Sequence, residues 1–282
     1  MHPVTATPLE DELGDVLEKA MRRDRLTENA LAAQSGVDAA RILDAIDYRS
    51  DLTCDELRRL AAVLRLNEVG LCALAAGRYP LPETAGLPFT VWPLRMPHGI
   101  GVVNAYLVAE DGASEGILFD TGAGMAALEA VWPEAVRRVA AVFLTHVEAE
   151  HAGGLCEIVA RFGVEAAFVP QGSRAPCGRP AGEGEIKVFG SLEVAVLSTP
   201  GHSPAHNSYL VRSRSTPSGR SLLVAGDLVF AGSAGGGYFS HRQLETHLRR
   251  VLAAAPPSAV IAPGHGPLTT VENELRYNPF LG

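Results

Sequence analysis

The chain has 282 residues, 47% of them hydrophobic and 20% charged, with a net charge of −8. That is enough chain for about two domains and too apolar for a disordered one, and the negative balance is a poor match to the clustered Lys and Arg that nucleic-acid phosphates reward. Cys54, Cys72, Cys156 and Cys177 form no C-x-x-C pair, which speaks against a disulfide framework or a zinc knuckle. Met1–Leu13 has no basic-then-apolar leader and no apolar run nears the ~18 residues of a membrane span, so the expectation is a soluble, cytoplasmic protein.

The first part of the chain reads as helices. Leu9, Leu13, Val16, Leu17 and Ala20 recur at helical spacing ahead of Arg22 and Arg23. Thr27 is placed to cap a second helix that Gly36 ends, and Asp38 to cap a third carrying Ile42, Leu43 and Ile46. Thr53-x-x-Glu56 is a capping box ahead of Leu57, Leu60, Ala61 and Leu64, and a short fifth helix fits Glu68–Ala75. Prolines and glycines over 77–88 leave no room for a helix or central strand. The division is a helical unit over 1–80, a linker over 81–88 and a second unit over 89–282.

From Phe89 onward, strand-like and helix-like runs alternate. Strands are expected at Thr90–Leu94, Val102–Val108, Gly116–Phe119, Val139–Leu144, Ala167–Val169, Glu193–Leu197, Ser208–Arg212, Leu222–Ala225 and Ala259–Ile261. Helices are expected near Ala152–Phe162, Arg242–Ala253 and Val271–Arg276.

Five short motifs end or follow these strands. They are Asp120-Thr121-Gly122, the stretch Thr145-His146-Val147-Glu148-Ala149-Glu150-His151, Pro200-Gly201-His202-Ser203-Pro204, Gly226-Asp227, and Pro263-Gly264-His265-Gly266. Loops gathered at one sheet edge are where α/β proteins build sites. His146 and Glu148, two apart, share a side in extended chain. Glu150 and His151 diverge unless the chain turns into a helix there. Such a turn aims two pairs at neighbouring points, an arrangement suited to two metal ions bridged by a further carboxylate. The glycine-rich loop Ala231–Tyr238 is expected to be mobile, with Tyr238 either a polar contact in the substrate pocket or part of a surface turn.

In this order the motifs resemble those of the metallo-β-lactamase superfamily of hydrolases over residues 89–282. Asn104-Ala105-Tyr106-Leu107 resembles an early strand of that family, and the run from Pro263 to Leu281 resembles its glyoxalase II-like branch. The resemblance implies an α+β chain whose second unit is an αββα sandwich with a metal site at one edge. It implies that His146, His202 and Asp227 hold one divalent ion, and that His151, His265, Asp227 and Glu150 hold the other. Asp120 would orient a ligand imidazole through its free N–H, and His206 would stand behind the ligands.

The chain departs from the family in reading H-x-E-x-E-H for H-x-H-x-D-H, with Glu148 for the second His and Glu150 for the Asp. Three carboxylates make the centre more neutral and its Lewis acidity weaker, and favour iron or manganese over zinc. Glu148 either ligates or turns away. The leading expectation is a hydrolase whose metal-bound hydroxide attacks an ester, thioester or lactone carbonyl, with Glu150, Asp120 and Asp227 in the machinery and two divalent ions, zinc or iron with manganese possible, as cofactors. The alternative is a single-iron oxygenase resembling persulfide dioxygenases of the same fold.

Leu26–Val37, Arg41–Ile46 and Leu57–Leu64 resemble a phage-repressor-type helix-turn-helix unit, the second segment falling where the recognition helix lies. That segment carries Asp38, Asp44 and Asp47 against Arg41, and residues 1–80 hold ten basic against fourteen acidic residues. This charge disfavours DNA and favours a protein-contact role, as a homodimer interface or as a cover over the other unit. A DNA-binding regulator with a metal-sensing part is the third reading.

Overall fold

The computed structural model describes residues 7–99 and 101–282, so the first six residues of the expected helical unit lie outside the described residues. Five helices come first: α1 (Leu13–Asp24), α2 (Glu28–Ser35), α3 (Ala39–Ile46), α4 (Cys54–Leu64) and α5 (Glu68–Ala75). Their starts are set by the side chains of Thr27, Asp38, Thr53 and Asn67, each accepting from free backbone N–H groups of the first turn. Such caps contribute about 1 kcal/mol each. Leu17, Leu31, Ile42, Leu57, Leu60, Leu64 and Leu71 are fully buried and form the core of this helical layer. Leu9 lies ahead of α1 rather than in it and packs against that core in extended chain.

The strands that follow form two six-stranded sheets. The first holds β1 (Thr90–His98), β2 (Gly101–Ala109), β3 (Glu115–Phe119), β4 (Arg138–Phe143), β5 (Ala166–Pro170) and β6 (Arg179–Ala181), side by side in chain order. The second holds β7 (Ile186–Phe189), β8 (Leu192–Ser198), β9 (Asn207–Ser213), β10 (Leu222–Gly226), and, beyond the small hairpin β11 (Val229–Phe230) and β12 (Ser233–Ala234), β13 (Val260–Pro263) and β14 (Thr269–Thr270). Its spatial order is β14-β13-β10-β9-β8-β7. The helices of this part are α6 (Met125–Ala130), α7 (Ala149–Ala152), α8 (Leu155–Phe162), α9 (His241–Ala254) and α10 (Val271–Tyr277).

Side chains alternate across each strand, and the alternation builds three cores. Phe119, Phe143, Tyr209, Val211 and Val224 point between the sheets. Their neighbours Leu118, Val142 and Leu144 face outward to Leu128, Leu155 and Ile158 of α6 and α8, while Leu210, Leu223 and Ala225 face Leu244, Leu248 and Val251 of α9. The result is helix, sheet, sheet, helix. Burying each such side chain contributes roughly 1.5–3 kcal/mol.

Three expectations are corrected. The helix expected over Ala152–Phe162 is two, separated at Gly153 and Gly154. A Cβ on Gly153 would stand 2.5 Å from the Ala123 carbonyl oxygen, so the chain must be bare and turn there. The strands β6, β7, β11, β12 and β14, and helix α6, were not expected; all have two to six residues, too short for a periodic signal. The loop Ala231–Tyr238, expected to be mobile, is buried and bonded in place over Ala231–Gly237, with Tyr238 exposed. Among the described residues no helix is long and apolar enough to cross a membrane.

The helical layer is docked on the sandwich. The Asn67 amide N–H donates to the Pro279 carbonyl at 2.7 Å and its side chain to that of Arg276 at 3.0 Å. Gly70 packs so closely on the Tyr277 carbonyl that a Cβ would stand 1.5 Å from its oxygen. Tyr277 and Phe280 pack against the helical core, and the Tyr79 hydroxyl donates to buried Glu274 at 3.0 Å.

Candidate metal centre

Strand direction gathers the motifs at one edge. β3 and β4 run parallel, as do β10 and β13, and β8 runs the same way as β10 because both are antiparallel to β9 between them. The chain segments leaving β3, β4, β8, β10 and β13 therefore emerge together, and these carry Asp120, His146–His151, His202, Asp227 and His265. Bonds between sheets lock the edge: the Asn207 N–H donates to the Thr145 carbonyl at 2.8 Å, the Asn104 N–H to the Gly264 carbonyl at 2.8 Å, and the Tyr106 hydroxyl to the Pro263 carbonyl at 2.7 Å. Asn104 and Tyr106, on the strand singled out in the sequence, thus hold the His265 loop.

The four imidazoles are aimed by what their Nδ1 atoms touch. That of His151 lies 3.1 Å from Asp120 Oδ2, that of His202 3.0 Å from the Gly236 carbonyl, and that of His265 2.9 Å from the Val102 carbonyl. The Nδ1 of His146 lies 2.9 Å from the Thr145 hydroxyl, which itself donates to Asp120 Oδ2 at 2.8 Å. All four partners can accept, so Nδ1 of each ring carries a proton and each Nε2 faces inward. Asp120 stands beneath two of the rings and also accepts from the Thr145 N–H at 2.7 Å. Its φ of 59° is a left-handed conformation held by these bonds.

The inward atoms converge on Asp227. Its Oδ1 lies 3.5 Å from His151 Nε2, and its Oδ2 lies 3.6 Å from both His202 Nε2 and His265 Nε2. Nε2 of His146, His151 and His202 and Oδ1 of Asp227 are buried without a hydrogen-bond partner, a costly arrangement unless something else binds them. Ligands about 2.1 Å from a tetrahedral ion stand about 3.4 Å apart, close to these separations. The donors fall into two groups, Glu150, His151, Asp227 and His265 in one and His146, Glu148 and His202 in the other, each able to hold an ion. The residues present therefore fit a two-ion centre. Gly264 keeps it open: a Cβ there would stand 2.1 Å from Asp227 Oδ1.

The two glutamates behave differently. Glu150, on the single turn α7, sends Oε1 to 3.7 Å from His265 Nε2 and 4.0 Å from His151 Nε2, while its Oε2 pairs with His98 Nε2 at 2.7 Å. The extra methylene of Glu over Asp is thus taken up by reaching across to the β1–β2 hairpin. Glu148 stays beside its group, with Oε1 3.2 Å from His202 Nε2, and its side chain is 45% exposed to the cleft above.

Charge follows the geometry. Burial raises the Asp227 carboxyl, but the imidazoles of His151, His265, His146 and His202 outweigh it and hold the acid well below its ordinary range. Burial likewise lowers His151, yet Asp227 and Asp120 prevail and push it up to about 9. Burial lowers His206 to about 3, so it is neutral. Its Nδ1 meets the Thr199 hydroxyl at 2.7 Å and its Nε2 accepts the Asp227 N–H at 3.2 Å. It stands behind the centre, against the backbone of Asp227.

The centre opens into a cleft of about 480 Å³ whose far wall is Glu10, Asp11, Asp15, Glu18, Lys19 and Arg22 from the helical layer. Tyr238 lines the same cleft, 69% exposed, its ring edge-on to His202 at 5.4 Å. His98 and the carbonyls of Val102 and Gly236 carry no sequence signal: none sits at a spacing tied to the motifs. Thr145 was visible beside His146 but reads as an ordinary strand-end residue.

Comparison with known proteins agrees with this geometry. The family model described as Metallo-beta-lactamase superfamily matches residues 98–265. The chain is 29% identical over 213 residues to the probable metallo-hydrolase YqgX of Bacillus subtilis, covering 66% of this chain and 96% of that one. It is 31% identical over 161 residues to a hydroxyacylglutathione hydrolase of Xanthomonas campestris, covering 56% of this chain and 58% of the relative. Among solved structures it matches TTHA1623 in a di-iron-bound form, with 29% identity, a TM-score of 0.53, and coverage of 67% of this chain and 100% of that one. With the layered sheets, the edge-gathered motifs and a match across well over half its length, the chain belongs to the metallo-beta-lactamase superfamily.

Proposed function

We propose that the chain is a metal-dependent hydrolase acting on an ester, thioester or lactone carbonyl at a two-ion centre. His146, Glu148 and His202 would hold one ion, Glu150, His151 and His265 the other, and Asp227 would lie between them. One observation carries the reading: three imidazole nitrogens and an Asp227 oxygen, buried without a hydrogen-bond partner, belong to two neighbouring donor groups at the base of a substrate-sized cleft. Divalent ions bound there supply a water-derived nucleophile at neutral pH and polarise a carbonyl oxygen.

The protein's own groups set the rest. Asp120 orients His151 and, through Thr145, His146, and Asp227 counters the charge of the centre. His98 steadies Glu150. Tyr238, at the mouth, is placed to touch the acyl group or its leaving group. The likeness to a hydroxyacylglutathione hydrolase favours a thioester within this class. Metal analysis of the purified protein, then assay on a thioester, ester and lactone panel before and after chelation, tests the proposal. Turnover that chelation abolishes and added metal restores is expected; inactivity of the fully loaded protein on the whole panel counts against hydrolysis.

Iron oxygen chemistry is the second reading. It draws support from the three carboxylates, which favour harder ions, and from the di-iron form of a relative. It predicts bound iron and oxygen uptake with a persulfide; a zinc protein active without oxygen removes it.

The helical layer serves this site rather than a DNA groove. Arg41, the basic residue of α3, is held by Glu56 at 2.5 and 2.9 Å and donates to the Asp51 carbonyl at 3.0 Å, so it has little left for phosphate. No duplex binding at low salt is expected; salt-dependent binding would reverse this assignment.

A further inference from the structure

The relatives above match 56% to 67% of this chain, and the family model begins at residue 98, so the helical layer lies outside that model. It nonetheless reaches the metal centre. Asp11, just ahead of α1, and Lys19, on α1, form a partly buried pair with side chains 8% and 20% exposed. Lys19 Nζ also donates to the Ala234 carbonyl at 2.9 Å and lies 5.3 Å from the centre of the Phe230 ring. The Ser233 hydroxyl donates to Asp11. Both contacts fall on β12, two to three residues before Gly236, whose carbonyl accepts the Nδ1 proton of His202. At the next residue back, Gly235 passes so close to Asp227 that a Cβ would stand 1.9 Å from its carbonyl oxygen. The segment that aims His202 is therefore held from one side by the helical layer.

We propose that Asp11 and Lys19 are positioning residues for His202: through Ser233 and Ala234 they set the Gly236 carbonyl that fixes the ring, and so make the ion of the His146–Glu148–His202 group depend on the helical layer. The proposal rests on the two-ion reading above. His151 and His265 make their Nδ1 hydrogen bonds to Asp120 and Val102, outside the helical layer. That layer approaches this group through Glu10, whose Oε2 lies 3.8 Å from His265 Nδ1, beyond hydrogen-bond distance, so their ion shares less of the dependence.

Titration of Co²⁺ into metal-stripped full-length protein, followed by its visible spectrum and by competition with a chelator, tests this. The wild type takes two ions. Lys19→Met is expected to bind one of them about tenfold more weakly, the lower end of the effect of removing a group behind a ligand, with a changed band for that ion and the other ion unaltered. Lys19→Arg, which can still reach both Ala234 and Asp11, restores the wild-type spectrum. Because Lys19→Met strands a buried carboxylate, the double variant Lys19→Met/Asp11→Asn, which removes both charges, is run beside it with circular dichroism as the check on folding, and shows the same selective loss. Arg58→Ala, which breaks a surface pair with Glu68, behaves as wild type. Two ions bound by the folded double variant as tightly as by the wild type overturns the positioning role alone. Uptake of fewer than two ions by the wild type overturns the two-ion reading, and the positioning role with it.

Discussion

The two halves of the centre are secured by different parts of the molecule. In the group of Glu150, His151 and His265, the supports are Asp120, the Val102 carbonyl and His98, from the ends and turns of the first sheet. In the group of His146, Glu148 and His202, only His146 has such a support, through Thr145. His202 leans on a loop carbonyl, and Glu148 is half open to the cleft. A support built into a sheet edge moves only if the sheet does. A support on a loop is as firm as whatever pins the loop. One half thus leans on the first sheet, while the other is tied to the helical layer through the loop that carries Gly236.

The most severe test removes what the halves share. Asp227→Asn is expected to lower kcat/KM by about three orders of magnitude, the scale of several kcal/mol of metal-assisted stabilisation, and elemental analysis should show both ions lost. Asp120→Asn acts on His151 directly and on His146 through Thr145. A fall of about 10- to 100-fold in activity or metal affinity is expected, and retention of wild-type affinity would mean that the rings are oriented elsewhere. His98→Ala frees one oxygen of Glu150 and confines the damage to the sheet-supported half. A loss nearer tenfold is expected there, read by competition with a chelator, with the His202 half unchanged.

Glu148→His sharpens the comparison from the other side. It removes a negative charge from the open half, so the centre becomes more positive and favours deprotonation of bound water. The acidic limb of the pH–rate profile should move to lower pH by about one unit; a shift to higher pH contradicts the charge argument. The smallest effect lies farthest from the ions. Thr53→Ala removes the cap of α4, and urea unfolding should report a loss of about 1 kcal/mol with metal content unchanged.

Legibility tracked how local the cause was. The cap of α4 is set by residues three apart, and the structure shows both of its bonds. The strands at Ile117–Phe119 and Tyr209–Val211 are short apolar runs of β-branched, leucine and aromatic residues, a local signal, and both stretches are strands. The motif residues were visible because strand-end His, Asp and Glu at short spacing are uncommon, and the structure gathers them. Where local patterns ran out, the expectations failed. The Ala231–Gly237 loop has the glycines of a flexible turn, but those glycines serve close packing: Gly235 against Asp227, and Gly232 against the Tyr79 ring. His98 gave no sign, because its partner Glu150 lies fifty-two positions along the chain and nothing in the intervening sequence brings the two together.

What the sequence by itself determined is the helical and strand runs and the strand-end groups able to bind metal, since these are written in short-range patterns; the layered fold that would assemble them came from the resemblance their order carries. Only the tertiary structure decided how those groups are held. It turned each Nε2 inward by giving Nδ1 an acceptor, it spent the extra length of Glu150 on His98, and it turned an acidic helical segment into a wall of the cleft. The physical reason is the same in each case: a hydrogen bond or ion pair depends on a few tenths of an ångström between atoms far apart in the chain, and that proximity is created only when sheets, loop and helices pack together.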